Sequence, residues 1–211
     1  MVSDQPDVTV ILVNYNGAHL FDRLFDALSA AEKGLNCQTI IVDNASRDNS
    51  VEILRTKYPH AQLIETFYSA FSKRDAEGMA ACYHPDVQFS DPVFPGLRGA
   101  RAGNMWRMLC ERATTLQIEY SGIAADDKTG SAHWEARYDF TATGRKVHNV
   151  IDAKFEFADG KIVRHTDSFD LWRWAGMALG AKGKLLGWAP PVQNAIRKMA
   201  MKGLDAFEAK R

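Results

Sequence analysis

Residues 146–157 read KVHNVIDAKFEF and residues 162–169 read IVRHTDSF, with Asp159-Gly160 between them. Apolar and polar side chains alternate along both stretches, and Asp-Gly is a turn signal, so the segment predicts two long antiparallel strands. Working outward, Leu116–Ala124 and Ser131–Thr141 read as two more strands, with turns at 126–130 (DDKTG) and at Thr143-Gly144. Further upstream, Ile64, Phe67, Tyr68 and Phe71 form a helical stripe. Asp75 opens a second helix (Met79, Ala80, Cys82, Tyr83), which His84-Pro85-Asp86 ends. Val87–Ser90 is a short strand, Asp91-Pro92 opens a loop to Gly99, and Arg101–Ala113 is a helix carrying Met105, Trp106, Leu109 and Cys110. The order α-α-β-α-β-β-β-β is α+β: antiparallel strands curl around helices and leave one concave face.

The first sixty residues follow a different pattern. Val8–Val13 is a continuous β-branched run, as expected of a strand buried on both faces. A turn at Asn14-Tyr15-Asn16-Gly17 leads to Leu20, Leu24, Phe25 and Leu28 at helical spacing. Thr39–Val42 is a second buried strand ending at Asp43, and a loop then leads into a short helix (Val51, Ile53, Leu54, Tyr58) that Pro59 stops. Ala61–Ile64 reads as a third strand, which gives a βαβαβ piece with a parallel sheet. Asp43 stands at the carboxyl end of a parallel strand, where such sheets bind ligands. It reads equally as a cap for the next helix.

The chain has 211 residues, 46% hydrophobic and 25% charged, with a formal net charge of zero. This composition excludes collagen-like, disordered and supercharged chains. No apolar run approaches the roughly 18 residues needed to span a bilayer. The N-terminus carries no signal-type pattern, so a cytoplasmic location is expected. Cys37, Cys82 and Cys110 include no CxxC pair and read as reduced thiols. Charge is uneven: residues 171–211 hold eight Lys and Arg against two Asp and Glu.

Residues 10–17 (VILVNYNG) together with 40–50 (IIVDNASRDNS) resemble the start of a family-2 glycosyltransferase of the GT-A fold. The resemblance implies nucleotide-binding roles for Asn14, Tyr15, Asn16 and Asp43. It also requires a DxD motif to hold a divalent metal on the diphosphate, and no Asp-x-Asp occurs in the sequence. Without such a clamp the leaving-group charge is not stabilised. Residues 1–62 therefore read as a truncated, vestigial nucleotide-binding fragment without transferase machinery.

Residues 63–68 (LIETFY), 87–92 (VQFSDP), 150–152 (VID) and 159–167 resemble the SnoaL-like branch of the nuclear transport factor 2-like superfamily. The expected organisation is a chimera: the fragment 1–62, a SnoaL-like pocket domain 63–170, and a basic, aromatic, helical extension 171–211. The resemblance implies a cone of helices on a curved antiparallel sheet, a hydrophobic steroid- or polyketide-like ligand, and a homodimer through the sheet. No cofactor, metal or nucleic acid is expected. Position matching to ketosteroid isomerase places Asp91 at the general base and Asp152 at the protonated oxyanion-hole acid. Phe67 falls where that enzyme has a Tyr, and a phenyl ring cannot donate a hydrogen bond.

Strand periodicity supplies a second route to the pocket. His148, Val150 and Asp152 share one face, as do His165, Asp167 and Phe169. If both faces turn inward, two His and two Asp converge with Asp91 at the rim, and Phe67, Trp106, Val150 and Phe169 join the wall. Carboxylates in an apolar cavity act as acids or bases, and a nearby His relays protons. The same groups could instead satisfy one another around a binding-only cavity. A facial triad of His148, His165 and Asp167 is a further, weaker reading.

Beyond residue 170, Val192, Ile196, Met199, Ala200 and Leu204 form a stripe read as a packing face. Trp174, Trp188, Lys182 and Lys184 also suit weak contact with a membrane surface. Three functions follow. The first is a small-molecule pocket with isomerase, lyase or hydrolase chemistry at Asp91, Asp152, His148, His165 and Asp167. The second is a binding or dimerisation module, and the third is a nucleotide-sugar glycosyltransferase.

Overall fold

A computed structural model of the chain describes residues 7–31, 33, 35, 37–57, 59–112 and 115–211. Tyr58 and Ala113, each read above as a helical residue, lie outside the described residues. The chain divides into two compact units, Met1–Pro59 and His60–Arg211.

In the first unit β1 (Val8–Asn14) pairs in parallel with β2 (Cys37–Asp43), in register from Val8 opposite Cys37 to Asn14 opposite Asp43. The crossover contains α1 (Phe21–Ala31), and α2 (Ser50–Lys57) follows β2. Phe21 and Phe25 of α1 are buried against each other, ring centroids 5.3 Å apart. The expectation of strands buried on both faces is corrected. The register sets Ile11 beside Ile40 and Val13 beside Val42, and all four are exposed, Val13 to 71%. Val10, Leu12, Thr39 and Ile41, on the opposite face, are partly covered. The third strand is corrected too, because residues 61–64 lie in α3 (Pro59–Ser72). α2 ends at Lys57, just before Pro59 as expected, and Pro59 itself opens α3, at a first-turn position where its missing N–H has no partner to lose.

A two-stranded sheet with one bare apolar face has few contacts to hold it closed. Hydrogen exchange is therefore expected to protect residues 8–13 far less than residues 146–157. Equal protection would show that the bare face has found a packing partner.

The second unit is α+β, as its sequence predicts. α3 buries Ile64, Phe67, Tyr68 and Phe71, the i, i+3, i+4, i+7 stripe of one helix face. α4 (Ala76–Ala81) starts at Asp75, whose carboxylate accepts from the Gly78 N–H at 2.9 Å. There follow β3 (Tyr83–Ser90), β4 (Leu97–Arg98), α5 (Ala100–Arg112), β5 (Gln117–Ala125), β6 (Thr129–Phe140), β7 (Arg145–Ala158) and β8 (Lys161–Ser168). The six strands form one sheet in the order β4-β3-β8-β7-β6-β5. Only β3 and β8 run parallel; the other pairings are antiparallel. Bulges interrupt the β3–β8, β5–β6 and β7–β8 ladders, and bulges bend and twist a sheet. Asp170 then caps α6 (Leu171–Ala178), accepting from the N–H groups of Trp172 and Arg173 at 2.8 and 3.0 Å. α7 (Ala181–Leu186) and α8 (Pro190–Glu208) complete the unit. Among the described residues no helix is long and apolar enough to cross a membrane.

Candidate functional site

Alternation along each strand decides which side chains enter the concave face. On β7 the odd positions Val147, Ile151, Ala153 and Phe155 are buried, and the even positions Asp152, Lys154 and Glu156 are exposed. On β8 the inward residues are Ile162, His165 and Asp167. On β6 they are Ala132, Trp134 and Ala136. The concave face, α5, α6 and α8 enclose a cavity of about 360 Å³. Its wall is mainly apolar: Phe71, Phe94, Trp106, Trp134, Ile151 and Phe169 line one part, and Trp174, Leu179, Ile196, Met199 and Ala200 another.

Asp91, Asp139 and Asp167 line this wall together with Arg112, and Asp139 is paired with Lys146 Nζ at 3.4 Å. Asp91 sits just past β3, in a turn fixed by the proline that follows it. Its Oδ1 accepts from the Val93 N–H at 2.6 Å and from the Phe94 N–H. No salt bridge among the described residues reaches it. Burial therefore dominates, helped by the Asp167 charge and opposed by the two N–H groups and by His165, and it raises the Asp91 pKa from 3.8 to about 6.

Asp167 belongs to a buried hydrogen-bond chain. Trp106 Nε1 donates to the Tyr83 hydroxyl at 2.8 Å, and that hydroxyl meets His165 Nδ1 at 2.7 Å. His165 Nε2 meets Asp167 Oδ1 at 3.0 Å, and Trp134 Nε1 donates to the same oxygen at 3.3 Å. Indole N–H can only donate. The consistent proton order is thus Tyr83 donating to Nδ1 and Nε2–H donating to Asp167. His165 is wholly buried, with Phe155 4.4 Å and Phe89 5.1 Å from its ring centroid. Both of its nitrogens are engaged and it does not line the cavity. It positions Asp167 and does not meet a ligand.

Four expected residues are placed elsewhere. Asp152 lies on the outer face, its side chain 79% exposed, with Oδ1 2.8 Å from His133 Nδ1. His148 is also on that face, its Nε2 2.6 Å from Glu135 Oε2. Val150 shares their side of β7 and does not line the cavity. The expectation that both faces turn inward is corrected: the register sets His165 opposite Phe155 and Asp167 opposite Ala153, so they share a face with the odd positions of β7, and His148, Val150 and Asp152 lie on the other face. The triad of His148, His165 and Asp167 fails for the same reason. Phe67 is fully buried behind the wall, edge-on to His165 at 5.3 Å, while Trp106 and Phe169 do line the cavity.

Tyr138 was missed. It lines the cavity, and its hydroxyl accepts from Trp174 Nε1 at 2.8 Å, which leaves its own proton to donate. Burial raises its pKa, and the charge of Asp91 adds to the rise, so the phenol stays protonated. Its period-two spacing from Trp134 and Ala136 was a usable signal.

These features have counterparts among known proteins. Residues 64–165 match the family model described as the SnoaL-like domain. That stretch, just under half of the chain, is similar to SnoaL-like domains. Residues 9–69 match the model of glycosyl transferase family 2, so the two matches overlap within α3. No curated protein matches the chain. A crystal structure of TerC with polyporic acid aligns at 18% identity over 58% of this chain and 99% of that one, with a TM-score of 0.51. An LEH-like epoxide hydrolase of M. tuberculosis aligns at 20% identity over 61% of this chain and 97% of its own, with a TM-score of 0.48. At such identities the likeness concerns the fold alone. The likeness to TerC agrees with helices packed on a curved sheet.

The glycosyltransferase-like unit uses its polar residues on itself. Asp43 accepts from Asn14 Nδ2 at 2.7 Å, Ser46 Oγ at 2.6 Å and the Ser46 N–H at 3.0 Å, which lowers its pKa. Asn14 Oδ1 accepts from the Gly17 N–H, and Asn16 Oδ1 from the Arg47 N–H. Tyr15 is exposed. Asp43 thus ties Asn14 to the Ser46 turn, and its bonds do not bear out the reading as a cap for α2, where Asp48 accepts from the Ser50 N–H. We expect no sugar transfer from any nucleotide sugar, with or without manganese. Metal-dependent turnover in a radiolabelled transfer assay would overturn this.

Proposed function

We propose that the SnoaL-like domain binds a hydrophobic small molecule, steroid- or polyketide-like, and performs acid–base chemistry on it with Asp91 as proton acceptor. The carrying observation is a carboxylate with a pKa near 6 on an apolar wall, without a cationic partner among the described residues. A base poised near working pH is what proton abstraction requires. Asp91 would take a proton from a carbon next to a carbonyl, and the Tyr138 hydroxyl would donate to the oxygen where charge develops. The electron pair then returns to another carbon, giving isomerisation, or expels a leaving group, giving elimination. Addition of water to the ligand would use the same base. Asp91, protonated by the first step, returns the proton to that other carbon or to the leaving group, and Asp167, held by His165 and Trp134, is a second proton acceptor on the wall.

A binding-only cavity is the competing reading. The first measurement is the mass of any ligand carried by the purified protein. With a substrate identified, kcat/KM should rise as pH increases through about 6 and level off above it, because only the ionised Asp91 accepts a proton. Binding without turnover at any pH would leave the binding-only reading in place of ours.

A further inference from the structure

α7 and its flanks carry a surface that the cavity does not use. Leu185 is 72% exposed, Trp188 59%, and Leu186 and Trp172 are also exposed. The four are held together. Trp172 Nε1 donates to the Lys184 carbonyl at 2.9 Å, and Trp188 Nε1 donates to the Leu185 carbonyl at 3.1 Å. At Gly187 an added Cβ would lie 3.0 Å from the Trp172 ring, so this indole packs on the backbone beneath it. Both indole N–H groups are thereby satisfied within the helix pair, and the rings turn apolar area outward.

Charge frames the same surface. Lys182 and Lys184 are exposed on α7, and no acidic residue occurs between Asp170 and Asp205. No salt bridge among the described residues engages either lysine. Exposed Trp and Leu beside unpaired Lys complement one kind of partner, a surface that is apolar within and anionic at its rim. The neighbouring helices α6 and α8 supply Trp174, Ile196, Met199 and Ala200 to the cavity wall.

We propose that the α6–α7 corner docks on an anionic lipid bilayer, Trp172, Leu185, Leu186 and Trp188 entering the headgroup zone and Lys182 and Lys184 meeting lipid phosphates and carboxylates. Docking there brings the cavity beside the phase in which apolar ligands dissolve. The inference needs neither ligand nor turnover, so its failure would leave the acid–base reading untouched.

The test uses the full chain with vesicles of phosphatidylcholine alone and of phosphatidylcholine with about one-third phosphatidylserine. A surface cation gains about fivefold in affinity from an anionic leaflet, so the two lysines together predict about thirtyfold preference for the anionic vesicles, reduced as salt rises from about 0.1 M to about 1 M. Tryptophan emission should shift to the blue on binding, since Trp172 and Trp188 are exposed while Trp106, Trp134 and Trp174 are already buried. Leu185→Glu with Trp188→Glu should abolish binding while circular dichroism and thermal midpoint stay unchanged. Lys182→Glu with Lys184→Glu should erase the preference for phosphatidylserine. No vesicle binding, equal binding to both vesicles, or binding indifferent to these substitutions overturns the proposal. Self-association that disappears in Leu185→Glu, without vesicle binding, also overturns it and assigns the patch to a second copy of the chain.

Discussion

Asp91→Asn should lower turnover by about 10²–10⁴-fold while leaving ligand affinity nearly intact. The amide keeps the shape and still accepts from the Val93 and Phe94 N–H groups, but it cannot take a proton. The same substitution should change stability in the opposite sense. A carboxyl whose pKa rises from 3.8 to about 6 on folding favours the folded state relative to the unfolded only while it is protonated. Relative to its protonated form, the ionised form costs about 3 kcal/mol, a penalty absent below pH 4 and complete above pH 6. Asp91→Asn should therefore raise the thermal midpoint at pH 8 and change it little at pH 4. Asp152→Asn, on the outer face, should change neither turnover nor the pH dependence of stability. Full activity in Asp91→Asn would remove the base assignment and pass the role to Asp167.

Trp106→Ala should cost about 3–5 kcal/mol, the range for deleting a buried indole, and lower the thermal midpoint by about 10 °C. Trp106 is almost wholly buried, and its ring lies 5.0 Å from Phe71, 5.3 Å from Phe89 and 5.5 Å from Phe67 by centroids. It also donates the first hydrogen bond of the chain that ends on Asp167. Its loss would both open a void and free the Tyr83 hydroxyl to reorient, so turnover should fall along with stability. Trp188→Ala, equally large but exposed, should stay within about 0.5 kcal/mol of the parent. A loss below about 1 kcal/mol at Trp106 would mean that the cavity wall collapses around the gap.

Strand periodicity and turn residues were enough to read five of the six strands, because a half-buried strand writes its burial into every second residue; β4, only Leu97–Arg98, fell in the expected loop, and β3 begins at Tyr83, where a helix end was expected. The same rule marked the inward face of β7, where Val147, Ile151, Ala153, Phe155 and Phe157 alternate with Asp152, Lys154 and Glu156. Position matching to ketosteroid isomerase pulled Asp152 inward against that alternation, and the strand's own pattern prevails. His165 and Asp167 lay on the inward parity and are buried. That His165 stands behind Asp167 depends on Tyr83, 82 residues away in sequence, and no local pattern encodes such a contact. At residues 61–64 the sequence suited strand and helix alike. Helix prevails because Ile64, Phe67, Tyr68 and Phe71 reach the core together only on one helical face. Exposure of Ile11, Val13, Ile40 and Val42 was illegible for another reason: a buried-strand pattern records a covering layer, whether or not this chain supplies it.

The cavity wall formed by Ile196, Met199 and Ala200 belongs to α8, which lies beyond residues 64–165, the stretch that matches the SnoaL-like family. Asp91 lies within that stretch and Asp167 two residues past it. On the proposed reading, the base Asp91 and part of the surface that gauges the ligand thus lie on separable lengths of chain. Drift in the tail can rescale or reshape what is admitted while Asp91 stays as it was. Related chains with identical carboxylates and unlike C-terminal helices would then differ in which molecules they accept and not in what they do to them.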